Sequence, residues 1–168
     1  MYFHKQFVIL FSVLNFVTHK FNLMTTSMIF AIALFTIMNI VGLIMFAAFT
    51  FNPGFALKFS SSPSGVDLSS LSAHDKDVEK ALKYFVGFSA SQILGTNVLS
   101  LLIVWFPFRN GECWAWCAML YFPVMFIWHY IHNDKKSPTI KVQIVWLVLS
   151  IAALALSYKD FSIDMSIL

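Results

Sequence analysis

Four apolar stretches, residues 28–51, 84–106, 113–131 and 141–157, each approach the length a helix needs to cross a hydrocarbon core of about 30 Å. They occupy most of a 168-residue chain that is 59% hydrophobic and only 11% charged, with a mean hydropathy of +0.77. Too few polar groups exist to coat an apolar interior in water, so the pattern predicts that the bilayer is the solvent. Backbone groups in hydrocarbon must be hydrogen-bonded internally, and these are continuous runs rather than short alternating segments, which favours helices over a barrel. The expectation is an all-α, integral membrane four-helix bundle forming a single membrane domain over 1–168. An N-terminal interfacial helix or a short fifth span precedes the bundle. No length remains for a separate soluble catalytic domain.

The segment 1–23 carries the alternative. Lys5, the apolar run from Phe7 to Val17, and then His19 and Lys20 mimic a signal peptide, but Thr18-His19-Lys20-Phe21 is a bulky, basic junction without a small-x-small triplet, so an uncleaved segment is expected. Ser12, Asn15, His19 and Asn22 share one side of a helical wheel while Phe3, Phe7, Leu10, Leu14, Val17 and Phe21 gather opposite. That suits a helix lying on the bilayer; the competing reading is a span over residues 6–23.

Asn52-Pro53-Gly54 ends the first span, because proline cannot donate a helical hydrogen bond. Residues 52–83 then read as a polar loop, mobile through Ser60, Ser61, Ser62, Pro63, Ser64 and Gly65, with an amphipathic extension into the second span. In that extension acids lead and lysines trail, Glu79 and Lys83 are four apart, and Ser72 with Asp75 reads as a capping pair. Val78, Leu82 and Phe85 would carry an apolar face into the membrane.

Within the second span Gly87, Ser91 and Gly95 recur every four residues, a groove where another helix can approach closely, so this is expected to be the central helix. Ser89, Gln92, Thr96 and Ser100 line a neighbouring face, with Asn97 beside them. The first span answers with Thr36, Asn39 and Gly42, and the fourth offers Ser150, Ala153 and Ser157 as a further close-approach face. Polar groups inside hydrocarbon are expected to point inward, either as interhelical hydrogen bonds or as the lining of a ligand pocket. Asn39, Gly87, Ser91, Gln92, Gly95 and Asn97 are therefore the candidate packing or ligand residues.

The turn between spans two and three runs Phe106-Pro107-Phe108-Arg109-Asn110-Gly111-Glu112-Cys113-Trp114-Ala115-Trp116. Glu112 stands at the amino end of the third helix, where its charge is favoured, and Arg109 is near enough in sequence to pair with it. Trp114 and Trp116 are expected at headgroup depth. Arg109, Glu112 and Trp114 are candidate headgroup contacts. Read as Arg109, Gly111, Glu112 and Trp114, this turn resembles that of bacterial DoxX-like small membrane proteins, which implies a compact four-helix membrane fold and no particular activity. The hydropathy layout also looks like the sigma-2 receptor and emopamil-binding group, which would imply binding of sterols or amphiphilic amines. The acidic residue such a site requires within a span is missing here, Glu112 lying at a boundary.

Other chemistries find little support. Cys117 and His129 are twelve residues apart, about 18 Å of helix, so Cys113 and Cys117 cannot share a metal with His129 and His132. No second span has a histidine to hold haem. The two cysteines lack the close vicinal loop spacing of disulfide-exchange proteins, and no nucleophile motif is present. The spans bury almost no ionisable group, as proton coupling would require. The net charge of +3 is scattered, with no basic block, which argues against nucleic acid. No catalytic residue, cofactor or metal is therefore expected. Pro123 is expected to kink the third helix.

With four spans, one side carries Lys5, Lys20, Arg109 and Lys159 and the other Lys58, Lys76, Lys80, Lys83, Lys135, Lys136 and Lys141, so the second side should face the cytoplasm or matrix. Two functions fit. One is a non-catalytic accessory or structural subunit that meets membrane lipids and either a membrane-protein partner or its own copies. The other is a small binding protein holding a lipid, sterol or quinone-like molecule between helices. Nineteen Phe, eight Met and five Trp suit either an outer surface or a pocket.

Overall fold

A computed structural model describes residues 24–161, so the expected interfacial helix or fifth span over 1–23 lies outside the described residues. Within them the chain is helical and forms no strand. The helices are α1 (Thr26–Phe51), α2 (Pro53–Ser64), α3 (Leu68–His74), α4 (Lys76–Ile103), α5 (Cys113–Met119), α6 (Tyr121–His132) and α7 (Pro138–Ser157). Four helical stretches, Thr26–Phe51, Lys76–Phe108, Cys113–His132 and Pro138–Asp160, are long and apolar enough to cross a membrane. They run up, down, up and down in an all-α bundle.

Local chemistry explains the boundaries. Thr25 caps α1 by accepting a hydrogen bond from the Met28 N–H at 3.2 Å. Asn52 serves two helices: its N–H closes α1 on the Ala48 carbonyl, and its Oδ1 accepts from the Phe55 N–H at 2.9 Å to start α2, with Pro53 in the first turn. The stop expected at Asn52-Pro53-Gly54 is therefore present, but the loop expected after it is not. Ser60 to Ser64 are helical, Pro63 sits late in α2, and the chain turns only at Gly65, whose φ of +71° is left-handed. Ser62 and Ser137 share a hydrogen bond of 2.8 Å, and the Asp134 N–H donates to the Pro63 carbonyl at 2.8 Å, so this segment is tied to the start of α7.

The acid-first extension does run unbroken into the second span. Its cap differs from the expected Ser72 and Asp75 pair: Ser72 belongs to α3, and Asp75 alone caps α4 by accepting from the N–H groups of Asp77 and Val78. Lys83 pairs with Glu79 at 2.6 Å, as their spacing suggests.

At its far end the second span does not stop at residue 106. Val104–Phe108 forms a π-helical turn, in which the Arg109 N–H reaches back to the Val104 carbonyl at 3.2 Å. Pro107 has no N–H to give an α-helical ladder, and the wider turn absorbs it. The third span is broken rather than smoothly kinked: α5 ends at Met119 and α6 begins at Tyr121. Met119 stands four residues before Pro123, where the proline ring displaces the carbonyl it would otherwise bond.

The bundle is organised around α1, not around the second span as its groove suggested. α1 packs chiefly against α4 and α7, and α7 also packs against α6. Phe35 of α1 is fully buried, stacked on Phe122 at 5.4 Å and edge-on to Phe108 at 5.7 Å, while Phe108 meets Phe161 at 4.7 Å. Ser150, Ala153 and Ser157 are all fully buried, so the small face expected on the fourth span is used. Only 17% of the apolar window of the second span is buried, against 33% for the first, which marks α4 as peripheral.

Candidate functional site

The polar residues of the spans divide into a buried seam and an outward face. The seam lies between α1 and the antiparallel α4. Gly42 is seated directly on the Asn97 side chain, so closely that a Cβ on Gly42 would fall among the amide atoms. With that contact and opposite chain directions, Phe35 stands level with Val104, Asn39 with Ser100, Phe46 with Ile93 and Phe49 with Ala90. Phe46, Phe49, Ala90 and Ile93 do share one apolar cluster, and Phe35 and Val104 share the other. Spacings alternate between four and three along both helices, the periodicity of a coiled-coil seam.

Two amides sit in this seam. Asn39 is fully buried and donates to its own Phe35 carbonyl at 2.7 Å; Asn97 donates to the Ile93 carbonyl at 2.7 Å. Each spends a donor four residues back on its own helix, so neither bridges the helices through that donor. Asn39 Oδ1, the Thr36 hydroxyl and the Ser100 hydroxyl are buried and accept or donate nothing among the described residues. The geometry is a band of amide and hydroxyl groups enclosed by Phe, Ile and Val, with no titratable group in it among the described residues.

The other candidate residues face outward. A Cβ on Gly87 or Gly95 would meet nothing within 4 Å, and Ser91 and Gln92 are exposed. Among the described residues no helix fills the expected groove. The Ser91 hydroxyl donates to the Phe88 carbonyl at 2.7 Å and so satisfies itself on its own helix. Helical geometry explains the division. Positions 87, 91 and 95 lie roughly opposite 90, 93, 97 and 100, and the latter set meets α1.

At the end of the bundle the turn after α4 behaves differently from the expected ion pair. The Glu112 Oε2 accepts the Trp114 indole N–H at 2.6 Å, and the ion pairs found among the described residues, Lys80 with Asp77 and Lys83 with Glu79, lie elsewhere. Gly111 adopts φ +75°, and a Cβ there would lie 3.2 Å from the Asp160 carbonyl, so the turn and the end of α7 are in close contact. Trp116 is half-buried, donating to the Leu154 carbonyl at 3.0 Å with Tyr158 edge-on at 5.6 Å. Trp114 is exposed. Asp160 reaches the start of α1, accepting from the hydroxyls of Thr25 at 2.7 Å and Ser27 at 2.9 Å.

Among the described residues no group of three His, Cys, Asp or Glu is placed to hold a metal ion, and Cys113 and Cys117 are free thiols. Trp128 packs on His132 with ring centroids 4.1 Å apart. The chain matches no known protein family, no curated protein and no solved structure.

Proposed function

We propose that this chain is a non-catalytic, multi-pass membrane protein that acts as an accessory or structural subunit, meeting its partner through the outward face of α4. The observation that supports this reading is the path of Gly87, Ser91 and Gly95, with Gln92 beside it, on a membrane-length helix and facing away from the other described helices. Small residues on a lipid-facing helix let a second backbone approach closely, and an amide in hydrocarbon gains from a partner that can bond it. The exterior agrees: Ile44, Phe85, Phe88, Leu99, Val124 and Val148 are all more than half exposed, which is tolerable in lipid but not in water. The seam holds no titratable group among the described residues, and the Nδ2 donors of its two amides are engaged on their own helices.

The same reading orients the protein. Lys58, Lys76, Lys80, Lys83, Lys135, Lys136 and Lys141 cluster where α2, α4 and α7 begin, whereas Arg109 and Lys159 are the described cations at the other end. The lysine-rich end then faces the cytoplasm or matrix. The DoxX-like turn is compatible with this fold and adds no activity to it.

The test is purification in mild detergent followed by mass spectrometry of the assembly, comparing wild type with Gly95→Leu. A stoichiometric protein partner or a second copy is expected with wild type and should be lost with Gly95→Leu, while thermal unfolding of the subunit itself stays unchanged. Assembly that survives Gly95→Leu would rule out this face.

A further inference from the structure

The π-helical turn creates a second feature at the same end as Trp114. Because the Arg109 N–H bonds back to Val104 rather than to Trp105, Phe108 swings into the core while Phe106 is left 63% exposed. An open cleft of about 380 Å³ lies beside it. Leu102, Ile103, Phe106 and Pro107 form its apolar wall, and Asn110, Glu112 and Trp114 form its polar rim. The Trp114 N–H holds Glu112 Oε2 at 2.6 Å, which fixes the carboxylate, and Glu112 Oε1 accepts no hydrogen bond among the described residues.

We infer that this cleft binds the headgroup of phosphatidylethanolamine, with the primary ammonium on Glu112 and the first methylenes of an acyl chain against Leu102 and Phe106. Charge complementarity selects the occupant. A carboxylate at the mouth of an apolar cleft repels an anionic lipid and attracts an ammonium, and the adjacent indole adds a cation–π contribution. A primary ammonium donates a hydrogen bond to Oε1, whereas a trimethylammonium has no N–H to give. The inference rests on the reading of Lys76–Phe108 and Cys113–His132 as membrane-crossing helices, which puts the cleft at headgroup level.

The experiment is native mass spectrometry of delipidated protein in detergent, titrated with phosphatidylethanolamine, phosphatidylcholine or phosphatidylglycerol of matched acyl chains. Phosphatidylethanolamine should be retained roughly tenfold better than phosphatidylglycerol, the scale of one charge-assisted hydrogen bond. Glu112→Gln, which keeps an oxygen to accept from Trp114, should abolish that preference. Leu102→Trp, which fills the apolar wall, should lower retention of phosphatidylethanolamine, and it decides the matter where Glu112→Gln does not fold. Equal retention of the three lipids by wild type, or a preference that persists in Glu112→Gln, would overturn the site. Retention of none of them by a chain that stays soluble without detergent would overturn the membrane reading instead.

Discussion

Gly42 of α1 rests on the amide of Asn97 in α4 with no space between them for a side chain. The Asn97 amide is itself tethered, since its Nδ2 donates to the Ile93 carbonyl at 2.7 Å. A larger residue at Gly42 must therefore break that bond or part the two helices. Gly42→Leu should lower stability by about 1–3 kcal/mol, the usual range for overpacking. Adding Asn97→Ala should recover most of the loss, because it removes the obstacle. Thermal unfolding in detergent measures both, and a Gly42→Leu protein as stable as wild type would refute the contact.

The seam shows how much of the fold is legible in the sequence. The four spans, the stop at Asn52, the acid-first entry to α4 and the small face of Ser150, Ala153 and Ser157 follow from length, proline, charge order and residue size. The face by which α4 meets α1 does not. In water an inward face is the apolar one, but lipid is as apolar as a leucine core, so a wheel cannot separate inside from outside. α4 has small and polar residues on both sides, and the more regular path of Gly87, Ser91 and Gly95 turns out to face outward. The signal that was available lies in matching two helices: Ala90, Ile93, Asn97, Ser100 and Val104 repeat the four-and-three spacing of Phe35, Asn39, Gly42, Phe46 and Phe49. Serines and prolines disguised α2 as a loop, because its contacts to Ser137 and Asp134 are made from across the chain.

Asp160 ties the two ends of the described bundle. Its carboxylate accepts from Thr25 and Ser27, at the positive end of α1, where a negative charge is favoured. Asp160→Ala should cost about 1–2 kcal/mol, and Thr25→Ala, which also removes the bond to the Met28 N–H, about 1 kcal/mol. Because the two share one hydrogen bond, the double variant should lose less than the sum. Strict additivity in unfolding experiments would show that the contact contributes nothing.

Asp67 gives the short helix α3 a pH dependence. The Ser70 hydroxyl donates to its carboxylate at 2.6 Å, and this bond, helped by the Ser70 and Ser69 N–H groups, holds the carboxyl below the usual aspartate range. A pKa lowered in the folded state means that capping is fully present above the ordinary aspartate value and fades as pH falls through the lower folded one. The Ser69 and Ser70 amide resonances should therefore shift with a midpoint below that of an unstructured aspartate, and Asp67→Ala should fray α3 at neutral pH. A midpoint at the ordinary value would remove the cap from consideration.

Ser100 tests whether polarity in the seam is structural. Its hydroxyl is buried, stands level with Asn39, and has no hydrogen-bond partner among the described residues, as is true of Asn39 Oδ1. A buried hydroxyl that makes no bond carries its desolvation cost with nothing to offset it, so removing it releases about 1–3 kcal/mol less a small packing loss. Ser100→Ala should accordingly leave stability unchanged or raise it. Asn39→Ala, by contrast, empties a fully enclosed volume between Phe, Ile and Val side chains and should destabilise the bundle. If Ser100→Ala instead costs about 1 kcal/mol or more, the hydroxyl and the Asn39 carbonyl oxygen bond across the seam, and the double variant Asn39→Ala with Ser100→Ala would then lose less than the two single changes together.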